Sequence, residues 1–477
     1  MTAVDLIPTD QLAPATLHAA FGRAFADYLA GPFTLEPQQW PGFLLRQGID
    51  LSLGRAAVQA NTGTVLAFAL VAPRPSLGRW RLGTMGAVPE ARGSGAAVHL
   101  LQDFVARGRE AGLAAVELEV FAQNERALRL YRRHGFVEQH ALHGWQRAAD
   151  AAPLDAGAGT RVEGSFDNAR DNGCNAPRDG GCDGVDQADA LAWLRQAEAV
   201  MPDLPLQVGA SVVGALPVPW RAWRRDRAQL VFTVDPTAGV IVRSLIDLDP
   251  AQAGAQALLR QLVQRHAGLR VSVPPLQRPD LGGHAAQRCG FARDALHQFF
   301  MRRDLAGPLV RDESPADADA IAAVQAAAFR EHPFSRHDEA QIVERLREQG
   351  ALTLSLVALE PSTGEVLGHA AFSPVQMEGE GALPGWQGLG PVAVRPGRQR
   401  QGVGSALVRA GLARLNAAGS PGCVVLGDPG WYARFGFQAL DGLTLPGVPP
   451  DHFLALRLDE SCPWPRGRVT YDAAFGG

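Results

Sequence analysis

Two stretches of this chain repeat one turn. The first reads Val88-Pro89-Glu90-Ala91-Arg92-Gly93-Ser94-Gly95-Ala96-Ala97. The second reads Val394-Arg395-Pro396-Gly397-Arg398-Gln399-Arg400-Gln401-Gly402-Val403-Gly404-Ser405-Ala406. Each follows an apolar, strand-like run and opens a helix with apolar periodicity. Each fits Arg/Gln-x-x-Gly-x-Gly/Ala, with Arg92, Gly95 and Ala97 in one and Gln401, Gly404 and Ala406 in the other. A strand that ends in such a turn aims several free backbone N–H groups at one point, with the positive end of a helix dipole behind them. Small residues let a pyrophosphate come close to the backbone. Twice, then, the chain is constrained to strand, turn and helix around an anion.

At 477 residues, three domains of ordinary size suit the chain better than one. The formal net charge of −4 argues against nucleic acid or an anionic membrane as the main partner. Every fixed cation is Arg, because the sequence contains no Lys. A Walker-type phosphate loop and a pyridoxal Schiff base are thereby excluded, since both need a lysine. Cys174, Cys182, Cys289, Cys423 and Cys462 show neither zinc-ligand spacing nor an even count for a disulfide framework, so no metal is expected. The leading residues lack a charged, apolar signal pattern, and no run is long enough to span a membrane. A cytoplasmic protein is expected.

Alternating strands and helices predict an α/β fold. A first unit covers residues 1–148, with its turn between a strand near Trp80–Val88 and a helix from Ala96. Residues 149–187 are rich in Gly, Asp, Asn and Ala and read as a flexible linker. A second unit covers 188–305. Its end, Gly290-Phe291-Ala292-Arg293-Asp294-Ala295-Leu296-His297, echoes Gly135-Phe136-Val137-Glu138-Gln139-His140-Ala141-Leu142-His143. The third unit covers 308–477 and carries the second turn.

A second block recurs at a similar distance from each turn. In the first unit it is Asn124-Glu125-Arg126-Ala127-Leu128-Arg129-Leu130-Tyr131-Arg132-Arg133-His134-Gly135-Phe136. In the third, Tyr432 stands four residues before Gly436-Phe437. Together the turn and this block resemble the GNAT superfamily of acetyl-CoA-dependent N-acetyltransferases. The resemblance implies three GNAT-like units, each a mixed central sheet flanked by helices, with two central strands splayed into an acetyl-CoA slot. It covers the end units well and the middle unit in outline only. There, Asp249-Pro250-Ala251-Gln252-Ala253-Gly254-Ala255 has one glycine where the turn belongs, and Ala286 stands where Tyr is expected. The middle unit is read as degenerate.

The resemblance implies acetyl-CoA as co-substrate, with no metal, and transfer of the acetyl group to a primary amine by direct attack in a ternary complex. The implied cofactor contacts are Val88, Arg92, Gly93, Ser94, Gly95, Ala96, Ala97 and Asn124 in the first unit. In the third they are Val394, Gln401, Gly402, Val403, Gly404, Ser405 and Ala406. Tyr131 and Tyr432 are the implied acids for the departing thiolate, although an aromatic there also suits core packing. Glu119, in the alternating strand Val116-Glu117-Leu118-Glu119-Val120, stands where related ribosomal-protein acetyltransferases have their base; a solvated carboxylate or a water chain is the alternative. Strand amides near Val88 or Val394 are candidate donors to the oxyanion. Asn124 also suits the cap of the next helix.

The third unit departs from the pattern. Gly427-Asp428-Pro429-Gly430-Trp431 replaces the Asn block, its strand lacks a carboxylate, and its closing segments resemble a bacterial GNAT branch of largely unknown substrate. His369 is a polar candidate there, or a satisfied core histidine. The acceptor is expected to be a small-molecule amine or a protein N-terminus. The alternative is an acyl-CoA sensor or scaffold without turnover.

Overall fold

The computed structural model describes residues 4–152, 154, 183–235, 237–331, 335–379, 383–459 and 462–476. Most of the expected linker, with Cys174 and Cys182, lies outside the described residues. The chain forms two compact units, one made of Met1–Phe33, Leu51–Ala141 and Phe299–Gly477, the other of Thr34–Asp50 and Leu142–Gln298.

In the N-terminal third, the strands are β1 (Val4–Pro8), β2 (Asp50–Gln59), β3 (Val65–Arg74), β4 (Arg79–Ala87), β5 (Ala115–Phe121) and β6 (Val137–Arg147). The helices are α1 (Pro14–Ala24), α2 (Trp40–Arg46), α3 (Ala96–Glu110) and α4 (Glu125–Arg133). The hairpin β2–β3 turns at Asn61-Thr62-Gly63, as the turn residues require. Apolar residues of α3, notably Leu100, Leu101 and Phe104, pack on Val116, Leu118 and Val120 of β5. That leaves Glu117 and Glu119 on the opposite face, because side chains alternate along a strand.

The middle third contributes β7 (Asp183–Val185), α5 (Gln187–Val200), α6 (Ala210–Gly214), β8 (Arg221–Arg225), β9 (Ala228–Asp235) and β10 (Gly239–Asp247). It continues with α7 (Ala253–Arg265), β11 (Val271–Gln277), α8 (Gly283–Arg288) and β12 (Ala292–Asp304). The two long closing strands divide between the units. In the first unit the strand order is β1-β2-β3-β4-β5, then Phe299–Asp304 of β12, then Val137–Ala141 of β6. In the second, Leu142–Arg147 of β6 is followed by β11-β10-β9-β8-β7.

The C-terminal third belongs to the first unit. It holds β13 (Leu309–Asp312), α9 (Ala318–Phe329), α10 (Glu339–Glu348), β14 (Leu354–Leu359), β15 (Val366–Pro374), β16 (Gln376–Glu378) and β17 (Gln387–Val394). Then come α11 (Val403–Ala417), β18 (Gly422–Leu426), α12 (Pro429–Tyr432), β19 (Gln438–Ala439), β20 (Leu443–Thr444), β21 (Phe453–Arg457) and β22 (Gly467–Thr470). Its main sheet runs β13-β14-β15-β17-β18-β21-β19, with a small sheet β16-β22-β20 beside it. Ser314 and Asp317 form a capping box ahead of α9. Asp312 is ion-paired with Arg414 of α11.

Within this unit the N- and C-terminal thirds share a core. Val137 packs in the same apolar cluster as Val310, and a Cβ on Gly135 would collide with the Leu309 side chain. Beside that contact, Glu138 is buried between Arg132, 2.6 Å away, and Arg414, 3.3 Å away. Removing one charge from a buried cluster leaves the others uncompensated, at a cost of about 3–5 kcal/mol. Glu138→Gln is therefore expected to destabilise the first unit by about that amount. Chemical denaturation of the full chain measures it. A change near zero would mean that water already screens the two arginines.

Candidate active sites

Both splayed strand pairs are present. β4 and β5 run parallel and pair from Arg79↔Ala115 only as far as Leu82↔Leu118. β17 and β18 pair from Gln387↔Cys423 only as far as Leu389↔Val425. Beyond those points each pair parts into a fork, and each first strand continues into one of the repeated turns.

The turns are held open by glycine. Gly95 and Gly402 precede α3 and α11 in left-handed conformation, with φ of 91° and 84°. Among the described residues, the amides of Gly93, Gly95 and Ala97 have no hydrogen-bond partner, and neither do those of Gln401, Gly402, Gly404 and Ser405. Such clusters of unpaired N–H groups at a helix start suit a pyrophosphate. The Arg92 side chain is engaged elsewhere: it makes a two-pronged ion pair with Asp27 at 2.5 and 2.6 Å. The Gln401 side chain donates to Gly397 O at 3.2 Å. The backbone, rather than these side chains, is thus what each turn presents.

The amide of Val88 is also taken, donating to Leu66 O at 2.9 Å, and the amide of Arg395 donates likewise to Leu367 O at 2.9 Å. Alternation along a strand therefore turns the amides of Ala87 and Val394 toward the forks. Of the amides near Val88 and Val394, those of Ala87 and Val394 therefore face the forks, and that of Val88 does not.

Tyr131 lies in the core cluster beneath the first fork, its ring edge-on to Phe136 at 5.8 Å. Among the described residues its hydroxyl has no hydrogen-bond partner. Burial, reinforced by nearby Tyr28, pushes its phenol above the ordinary range and keeps it neutral. Asn124 Oδ1 accepts from Ala127 N at 3.2 Å, so this side chain caps α4.

Glu119 is the first residue past the last backbone pair of β4 and β5, at the crotch of the fork. Its side chain is 2% exposed. Arg81 Nε donates to Oε2 at 2.7 Å, while Oε1 is buried without a partner. Glu117, on the same face, sits between Arg74 at 2.5 Å and Arg79 at 3.2 Å. Burial pushes the Glu117 carboxyl up, the Arg74 guanidinium opposes it, and Glu119 adds a minor contribution. Beside burial and its two arginines, the neighbouring carboxylate is thus a small influence on Glu117.

Tyr432 lies under the second fork, 5.7 Å from the Phe437 ring, and burial, with Cys423 nearby, pushes its phenol up as well. Gly427 is required there, since a Cβ would fall 2.4 Å from the Tyr432 ring. Tyr471 covers the same strands from the C-terminal segment: its ring occupies the space a Gly388 side chain would need, and its hydroxyl donates to Val424 O at 3.4 Å. His369 is fully buried and held by Gln325 and Ser355, each at 2.8 Å. Burial brings it down to about 4. It is a satisfied core histidine.

Sequence reasoning missed Arg81, Tyr28 and Tyr471. Arg79 and Arg81 alternate along β4 as Glu117 and Glu119 do along β5, and that complementary spacing on two neighbouring strands was the available signal. Tyr28 carried none, for it reaches its fork from a distant loop; Tyr471 stood in the closing segments that resemble a bacterial GNAT branch, with no place at the fork assigned to it. Among the described residues, no cluster of His, Cys, Asp or Glu could hold a metal ion.

The chain matches the acetyltransferase (GNAT) family over residues 24–136 and an acetyltransferase (GNAT) domain over 310–440. It is 40% identical over 157 residues to the uncharacterized N-acetyltransferase YhbS of Escherichia coli K12, covering 33% of this chain and 80% of the relative. It is 35% identical over 127 residues to the uncharacterized N-acetyltransferase YjhQ of the same strain, covering 27% of this chain and 67% of the relative. Among solved structures, a GNAT family acetyltransferase from Brucella melitensis in complex with acetyl-CoA is 49% identical, with 35% of this chain and 96% of that one covered and a TM-score of 0.30. YhbS of E. coli in complex with CoA is 38% identical, with 36% and 93% covered and a TM-score of 0.32. The two family matches and the Escherichia coli relatives establish that the chain belongs to the GNAT acetyltransferase family.

Proposed function

We propose that the chain carries two acetyl-CoA sites, one at each fork, and transfers acetyl groups to primary amines by direct attack in a ternary complex. The observation that carries this reading is the pairing, at both ends of the chain, of a fork, a turn with unpaired amides and a buried neutral tyrosine. Acetyl-CoA supplies the activated acetyl group as a thioester. The turn amides of Gly93, Gly95 and Ala97, and of Gln401, Gly402, Gly404 and Ser405, hold its pyrophosphate. The amides of Ala87 and Val394 stabilise the charge that develops on the thioester oxygen. Tyr131 and Tyr432 donate a proton to the departing sulfur.

In the first site, Glu119 Oε1 takes the proton of the attacking amine, directly or through one water, while Arg81 retains Oε2. The second site has no carboxylate on β18, so water removes the proton there. The acceptor is a small-molecule amine or a protein N-terminus, and the cytoplasm, where acetyl-CoA is available, is the proposed compartment. Calorimetry with acetyl-CoA on the full chain is expected to give two sites. A value near three, or binding that survives replacement of both turns, overturns the assignment of the turns.

Tyr131→Phe, made in a chain that already carries Tyr432→Phe, is expected to keep acetyl-CoA binding and lower turnover roughly ten- to a thousand-fold. The assay is thiol release with acetyl-CoA against amines, free-N-terminus peptides and aminoglycosides. Binding without turnover on any acceptor would instead support an acyl-CoA sensor. In the same assay, Glu119→Gln is expected to remove the acid limb of the pH–rate profile and leave acetyl-CoA affinity unchanged. An intact acid limb would assign proton removal to water in the first site as well.

A further inference from the structure

The middle third repeats the fork and the turn, but both are filled by the chain itself. β10 and β11 run parallel and pair only at Val240↔Val271 and Ile241↔Ser272, then part. β10 leads through a turn into α7, and the residue before α7, Gln252, is left-handed with φ of 53°. Gly95 and Gly402 hold the corresponding place before α3 and α11. The residue before the helix is thus left-handed in all three turns, with a side chain at Gln252 where the open turns have none.

At this turn the amides of Asp249, Ala251, Gln252 and Ala255 have acceptors within the chain, while among the described residues those of Ala253 and Gly254 have none. The Asp247 carboxylate, 1% exposed, accepts from Ala255 N at 2.8 Å through Oδ2 and from Asp249 N at 2.9 Å through Oδ1. Asp249 in turn accepts from Ala251 N at 3.0 Å. Gln252 ties the turn to α8 and the segment ahead of it, donating to Pro279 O at 2.9 Å and accepting from Ala285 N at 3.0 Å. Gly254 meets Asp247 Oδ2 at 3.2 Å from where its Cβ would stand, so helix and carboxylate are in contact. The fork is stopped as well. Leu204, Pro205, Val208 and Leu281 pack against Leu245 and Leu276, and the space left is about 10 Å³. That is about the room one water needs, far short of a pantetheine arm.

We infer that the middle third is a GNAT-type site permanently occupied by its own chain, with the Asp247 carboxylate standing in for the pyrophosphate and the Leu204–Val208 segment for the acyl arm. The inference rests on reading the two open turns as pyrophosphate sites. An internal carboxylate at the start of α7 accepts from the Ala255 amide and meets the helix dipole, as an external anion would. The middle third then needs no ligand to be stable, and it takes no acetyl-CoA.

Asp247→Gly removes the internal anion and leaves the turn backbone open. Its thermal midpoint in the full chain is expected to fall below that of the unsubstituted protein. Millimolar inorganic pyrophosphate is expected to close at least half of that gap, while sodium chloride at matched ionic strength does not. Both proteins carry the two open turns, so the gap isolates the middle site. A gap that pyrophosphate leaves unchanged overturns the inference, and so does a third acetyl-CoA site in the unsubstituted protein. If Asp247→Gly does not fold, the isosteric Asp247→Asn serves, with a smaller gap and the same narrowing expected. Absence of acetyl-CoA binding in every protein would overturn the reading of the open turns alone, because the pyrophosphate response of the gap reports on Asp247 independently.

Discussion

Peptide N–H groups without a partner inside the chain are the constraint around which this protein is arranged. A buried donor left unpaired costs about 1–3 kcal/mol, so a turn that gathers several of them has to face solvent, a ligand or an internal acceptor. The turns before α3 and α11 leave theirs open. In the turn before α7, Asp247 and Asp249 accept from the amides of Asp249, Ala251 and Ala255.

The forks follow from the same accounting of backbone groups. Parallel strands that stop pairing expose two edges, and an exposed edge calls for a partner. In β4–β5 and β17–β18 that partner is the co-substrate of the reaction proposed here. In β10–β11 the gap is closed by leucine and valine side chains. Charge is handled differently at the two open forks. The first carries Arg74, Arg79, Arg81, Glu117 and Glu119 on one buried face. Buried charges persist only when paired, and this ladder leaves Glu119 Oε1 as an unbonded acceptor at the fork. The second fork has aromatic rings and no acid on β18.

Much of the site was legible in the residues. The glycine turns, the strand–helix alternation and the block from Asn124 to Phe136 are local signals, and local geometry is what spacing encodes. The hairpin at Asn61-Thr62-Gly63 and the helix bounds of α4 follow for the same reason. Which amide near Val88 faces the fork was not legible, because it depends on which carbonyl of β3 each amide meets. Nor were Arg81, Tyr28 and Tyr471, whose roles arise from strand pairing and from loops that return over long stretches of chain.

What the sequence by itself determined is the pair of glycine turns, the α/β class and the tyrosine that follows each turn, since each is set by residues within a few positions of one another. Tertiary structure alone decided where the closing strands go. Phe299–Asp304 completes the sheet beside β5, and Leu142–Arg147 runs beside β11. It also decided that Asp247, an unremarkable aspartate in sequence, lies on the amides of α7. Strand partners and buried acceptors are chosen by packing across the whole chain, and periodicity along it carries no record of that choice.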